Sequence, residues 1–332
     1  MKQLSIVKLR SLIIILASSA FAVQFLFHTL HKSFYTKNNI EILLILTISL
    51  CTFLGLHNKI KDLSKQDDLK HLFSLQKFIS SGTIILSTTL TTYFMAKLFG
   101  VSTIFSASAV CLLSSFLFSD YEGEALSGVC AGMIGSYLCE EWTTALFIGF
   151  ITSIIFLSFA PCFQEIGGRG GAIAYVATLV CIYIFLDVQP TARLPMEEKF
   201  LLPSLFAVFV SALSAYLLHK YKLLTPIKAT MFVTFLGAII LPSSMLTLKT
   251  AVFSGAIIGM STTKRINSLS HLMLVAAINY VLFIASFSIL DGIGGKLGFI
   301  GLLSYKASLG LFALINYAKI RIKNRRILIK TD

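Results

Sequence analysis

The chain has 332 residues, of which 56% are hydrophobic and 13% charged, and its mean hydropathy is +0.85. About a quarter of a soluble domain is charged, so this composition excludes an ordinary soluble globular protein and predicts an all-α, polytopic integral membrane protein. The net charge of +13 does not predict nucleic-acid binding, because the basic residues are scattered over short loops and one tail with no soluble domain to present them; anionic lipid headgroups are the expected partner.

Apolar runs bounded by charged or turn-forming residues predict spans at 11–30, 40–57, 78–99, 101–118, 124–138, 142–160, 171–187, 201–222, 226–243, 249–263, 269–290 and 298–318. The first begins in "MKQLSIVKLRSLIIILASSAFA", which has the grammar of a signal peptide, but the apolar run continues to Phe27 and predicts an uncleaved helix. A charged linker, 58–77, separates two N-terminal helices from the rest, so the expected divisions are 1–77, 78–190, 200–318 and a basic cytoplasmic tail at 319–332. The runs 124–138 and 249–263 are short for a crossing and rich in Gly and Ser, leaving open whether they cross or re-enter; the count is ten to twelve spans accordingly.

Lysine and arginine in short loops mark the cytoplasmic side. With the N-terminus inside and twelve crossings, twenty of the 28 basic residues fall inside, seven outside and one, Lys306, within a span. Both termini are then cytoplasmic, and the Lys-, Ile- and Ser-rich usage fits a bacterial inner membrane. The polar run "SSGTIILSTTLTTY" at 80–93 suits a helix lining water, although Ser and Thr also bond their own helix backbone.

The strings "SGVCAGM" at 127–133 and "SGAIIGM" at 254–260 are 127 positions apart, and "IGGRGG" at 166–171 and "IGGKLG" at 293–298 repeat at the same offset. Ser127, Gly128, Gly132, Gly167, Gly168 and Arg169 thus correspond to Ser254, Gly255, Gly259, Gly294, Gly295 and Lys296. Two motifs at one spacing predict an internal duplication. Five spans per copy predict an inverted one, with a pseudo-twofold axis in the membrane plane; four, if the short helices re-enter, would make the copies parallel.

Glycines four apart share a helix face, which serves either close packing or a backbone-lined path. The glycine turns with Arg169 and Lys296 either attract an anion through exposed amides or simply turn the chain at the headgroups. Lys306 and Asn279 are the polar groups expected within spans, where a functional role competes with snorkelling, internal pairing or an interhelical hydrogen bond. The acidic Asp120, Glu122 and Glu124 read as a solvated loop.

The six cysteines form no CxxC pair, the six histidines have no HxxxH or HExxH spacing, and there is no GxSxG or Walker A string. No metal, cofactor or enzymatic activity is therefore expected. The five-plus-five plan resembles that of the urea-transporter and nucleobase-permease classes of transporters and channels, a resemblance of plan that carries over no residue. It implies a transporter or channel for a small polar or anionic solute, with a path between the repeats lined by Ser127, Gly128, Gly132, Ser254, Gly255, Gly259, Asn279 and Lys306. The alternatives are a non-transporting membrane scaffold or subunit and, with least support, an intramembrane enzyme. A homo-oligomer is compatible with either membrane role.

Overall fold

The computed structural model describes residues 20, 22–30, 43–52, 75–135, 138–158, 165–183 and 196–331. The expectations for the signal-like stretch 1–19, most of the 58–77 linker and the side chains of the basic tail lie outside them. Every regular element among the described residues is helical, and none is a strand. The helices are α1 (22–30), α2 (Leu43–Thr52), α3 (Leu75–Phe99), α4 (Thr103–Leu117), α5 (Glu122–Gly132), α6 (Trp142–Ser158), α7 (Arg169–Cys181), α8 (Leu201–Lys220), α9 (Pro226–Ile240), α10 (Leu246–Gly259), α11 (Leu269–Ala285) and α12 (Lys296–Thr331).

Two stretches, Glu198–Lys220 and Lys296–Ala318, are long and apolar enough to cross a membrane. Several other apolar helices are shorter, from ten to seventeen residues, which at about 1.5 Å per residue covers roughly 15–25 Å. α3 has the length, at 25 residues, but eight of them are Ser or Thr.

Local chemistry sets the helix starts. Ser102, Thr225 and Ser268 cap α4, α9 and α11, each side chain accepting the amide three residues on, and Pro226 opens α9 where an amide would go unused. Gly168 (φ 89°) and Gly295 (φ 80°) stand just before α7 and α12 in the left-handed region that favours glycine.

The chain forms two units. In the smaller, 1–67 with 303–332, Gly310 of α12 lies against the backbone of Cys51, and a Cβ there would stand 2.6 Å from the Cys51 carbonyl carbon. In the larger, 68–302, α3 packs on α4, α5 and α6, and α8 packs on α9, α10 and α11, element for element the same pattern. α4 and α9 then pack on each other, with Phe105 and Phe235 rings 5.4 Å apart.

Candidate functional site

Positions in the larger unit correspond by two fixed offsets. From α5 onward the offset is 127, as in the sequence motifs; for α3 and α4 against α8 and α9 it is 123. The difference of four is one loop: only Phe118 separates α4 from the 3-10 turn at Ser119–Tyr121, whereas 241–245 separate α9 from α10.

The motif glycines sit at matched seams inside each group of helices. A Cβ on Gly128 would be 2.9 Å from Ile85 Cα, and one on Gly255 would be 2.7 Å from Val208 Cα, positions 123 apart. A Cβ on Gly132 would meet Thr92 Cβ, and one on Gly259 would meet Ala215 Cβ, each at 2.8 Å. Thr89 adds a hydrogen bond to the Gly128 carbonyl at 3.0 Å, and most other Ser and Thr hydroxyls of α3 bond their own helix, for instance Thr83 to Ile79 and Thr91 to Ser87. Tyr93 donates to the Cys139 carbonyl at 3.3 Å, and Tyr216 donates to the Ile266 carbonyl at 2.9 Å, again matched positions.

The two groups meet elsewhere, at the glycine turns. Gly135 N–H donates to Gly292 O at 2.8 Å, and Thr262 N–H donates to Glu165 O at 3.2 Å; each donor is 127 from the other, and so is each acceptor. Gly167 abuts the Ile257 carbonyl and Gly294 the Cys130 carbonyl; Gly168 abuts Leu302 N and Gly295 abuts Tyr175 N. A Cβ on Gly171 would be 2.7 Å from Gly298 Cα, and one on Gly298 would be 2.6 Å from Gly171 Cα. Reciprocity of this kind, with one pair of equivalent residues touching each other, is what a twofold relation between two segments generates. As residue numbers rise along α7 they fall along α12, so the two first turns cross antiparallel. Tyr175 and Phe299 stack beside the crossing, ring centroids 4.5 Å apart.

Two cavities flank this junction. One, of about 290 Å³, is lined by Thr250, Phe253, Phe283, Ile293 and Lys296, among others; the second, of about 200 Å³, by their mates Gly123, Leu126, Phe156, Ile166 and Arg169. Of the twelve residues lining the smaller cavity, eleven have a mate lining the larger; Glu122, whose mate is Lys249, is the exception.

Lys296 Nζ donates to the carbonyls of Ser286 at 2.7 Å, Phe287 at 3.3 Å and Ile289, so it caps the C-terminal end of α11. The Arg169 guanidinium lies 5.3 Å from the Phe156 ring centroid, a cation–π contact. Ser127 bonds the Gly123 carbonyl at 2.9 Å, whereas Ser254 donates to Asn279 Oδ1 at 2.9 Å. Asn279 is fully buried, and its Nδ2 has no hydrogen-bond partner among the described residues. Lys306 is buried within the smaller unit, 1% exposed. The motif expected to mark the meeting of the halves, SGxxxGM, thus marks a seam inside each, and the glycine turns mark the meeting. Glu122, expected in a solvated loop, instead pairs with Lys228, and Lys249 carried no expectation; the signal that singles out both is their shared offset of 127 with opposite charge.

Among the described residues no group of His, Cys, Asp and Glu could hold a metal ion. No protein family, curated protein or solved structure matches the chain.

Proposed function

We propose that the chain is a multi-pass membrane protein, built from two inverted five-helix units, that moves a small polar or anionic solute across the membrane. The observation that carries the reading is the reciprocal contact set at Gly171 and Gly298. Its twofold relation runs across α7 and α12, so if these helices lie along the bilayer normal the axis lies in the membrane plane, the arrangement of inverted-repeat transporters. Helices of eleven to seventeen residues that begin or end at that junction fit broken spans whose backbone ends are satisfied within protein. The paired cavities, each with one basic residue in a mainly apolar lining, supply one recess for each side, and the distribution of basic residues puts Lys296 outside and Arg169 inside.

Gly123 and Thr250, mates lining the two cavities, give the topological test. Cysteine at 123 is expected to react with an impermeant maleimide from the cytoplasmic side only and cysteine at 250 from the external side only; labelling of both from one side would remove the inverted plan. Function is tested by uptake into liposomes holding the purified protein, with a panel of small anions and neutral polar solutes; no uptake above empty liposomes would reject transport. A second reading, a non-transporting membrane scaffold, draws support from Gly128, Gly132, Gly255 and Gly259, all of which are closed into helix seams.

A further inference from the structure

The two halves differ most where α4 and α9 begin. At α9, Thr225 Oγ1 accepts from Lys228 N–H at 3.3 Å and donates to Glu122 Oε2 at 2.7 Å, while Lys228 Nζ lies 3.1 Å from Glu122 Oε1. A hydroxyl, an ammonium and a carboxylate close that place. The matched positions at α4 are Ser102, Phe105 and Lys249. Ser102 Oγ accepts from Phe105 N–H at 3.2 Å, as Thr225 does from Lys228, but no carboxylate receives its proton. Where Glu122 would stand is Lys249.

Lys249 is 5% exposed and donates one hydrogen bond, to the Ala238 carbonyl at 2.8 Å; it is in no ion pair among the described residues. An ammonium carries three donors, and a buried charge without a counter-charge is costly. Lys249 lines a cleft of about 610 Å³, shared with Lys97, Tyr93, Ser102, Thr103 and Ser243, and no Asp or Glu lines it. Lys97, Gly100 and Ser243 are exposed at the rim. Lys97 Nζ bonds neutral acceptors, Tyr93 Oη at 2.8 Å and the Glu140 carbonyl, and the Glu140 residue is itself exposed.

We propose that this cleft binds a small oxyanion, a carboxylate or phosphate group, seated where the matched place at the start of α9 holds Glu122. Lys249 supplies the counter-charge from the floor, the Ser102 hydroxyl donates its free proton, and the first-turn amides of α4 favour negative charge. Lys97 draws the anion in from the rim. The volume is that of a small-molecule site. Binding does not require transport, so the site stands or falls apart from the function proposed above.

The test is equilibrium dialysis of the purified full chain, in uncharged detergent at fixed ionic strength, against radiolabelled inorganic phosphate and radiolabelled acetate. One saturable site per chain is expected for at least one probe. Lys249→Gln should weaken it about tenfold or more, the scale of a lost charge-assisted bond. Lys97→Gln, at the exposed rim and safe for folding, should weaken it about threefold through lost attraction, and Lys264→Gln should leave it unchanged. A second arm places the protein in phosphatidylcholine vesicles with or without phosphatidylglycerol. Lys249-dependent retention of phosphatidylglycerol that displaces both probes would identify the oxyanion as a lipid headgroup in the same site. No binding of either probe and no lipid retention, or binding indifferent to both Lys249→Gln and Lys97→Gln, overturns the proposal.

Discussion

The half that begins at α3 and the half that begins at α8 share their packing pattern, their glycine seams and their tyrosine-to-carbonyl bonds, yet they treat one buried place in opposite ways. Around Glu122, charge is balanced internally by Lys228 and Thr225. Around Lys249, at the matched position, it is not balanced by any side chain among the described residues. Backbone geometry constrains what both halves keep, because a glycine whose Cβ would overlap a neighbouring backbone takes another residue only if that backbone shifts. A side chain that lines a cleft has no such constraint and is free to differ. In this molecule the constrained positions hold the packing that the halves share, and the free ones distinguish the two halves.

The largest effect is expected where the halves touch. Gly298→Ala puts a methyl group 2.6 Å from Gly171 Cα, and backbone cannot yield as a side chain can, so a loss of about 3 kcal/mol is expected, at the upper end for overpacking. Thermal unfolding in detergent measures it; an unchanged transition would mean that the two first turns do not cross there. Next come the seams. Gly128→Ala and Gly255→Ala should each cost about 2 kcal/mol and agree within about 0.5 kcal/mol; a large cost at one and none at the other would break the equivalence of α3 with α8.

The charge contrast predicts unequal effects from equal chemistry. Glu122→Gln leaves Lys228, 15% exposed, without its counter-charge and should destabilise by about 2 kcal/mol. Lys249→Gln, measured without added oxyanion, should leave stability unchanged or raise it by up to about 1 kcal/mol. Equal losses from the two would erase the distinction.

The smallest effect concerns Cys139, whose matched residue is Ile266. Burial pushes its thiol up to about 11 from 9.0, so the thiolate fraction near neutrality falls about a hundredfold. Alkylation by iodoacetamide should be slow at pH 7 and quicken about tenfold per pH unit toward the raised value. Fast labelling at pH 7 would show that the Tyr93 seam is open.

Helix positions were largely legible because apolar runs between turn formers coincide with them: 142–160 was expected for α6 and Trp142–Ser158 is found. The 127-residue spacing of the two glycine motifs was legible in the chain itself, and those glycines sit against backbone. The equivalence of α3 with α8 was not, because Ile85 and Val208 meet the glycines through their backbones and leave their side chains free to differ, and because the extra loop residues in 241–245 shift the offset. Glu122 looked like one member of a solvated acidic run; only its ion pair with Lys228, 106 positions away, reveals it as internal. Lys296 shows the converse. Its position beside glycines suggested an exposed cation, and its ammonium instead binds three carbonyls at the end of α11.

The crossing of α7 with α12 is made almost wholly of glycine, with backbone against backbone at 168, 171, 295 and 298. Side chains that interdigitate act as gear teeth: one helix turns past the other only if rotamers give way. A bare crossing has no teeth. The two first turns therefore interlock no side chains, and what holds one half against the other lies at the edge of the crossing: the rings of Tyr175 on Phe299 and Phe105 on Phe235, the Glu122–Lys228 ion pair, and the backbone bonds from Gly135 and Thr262.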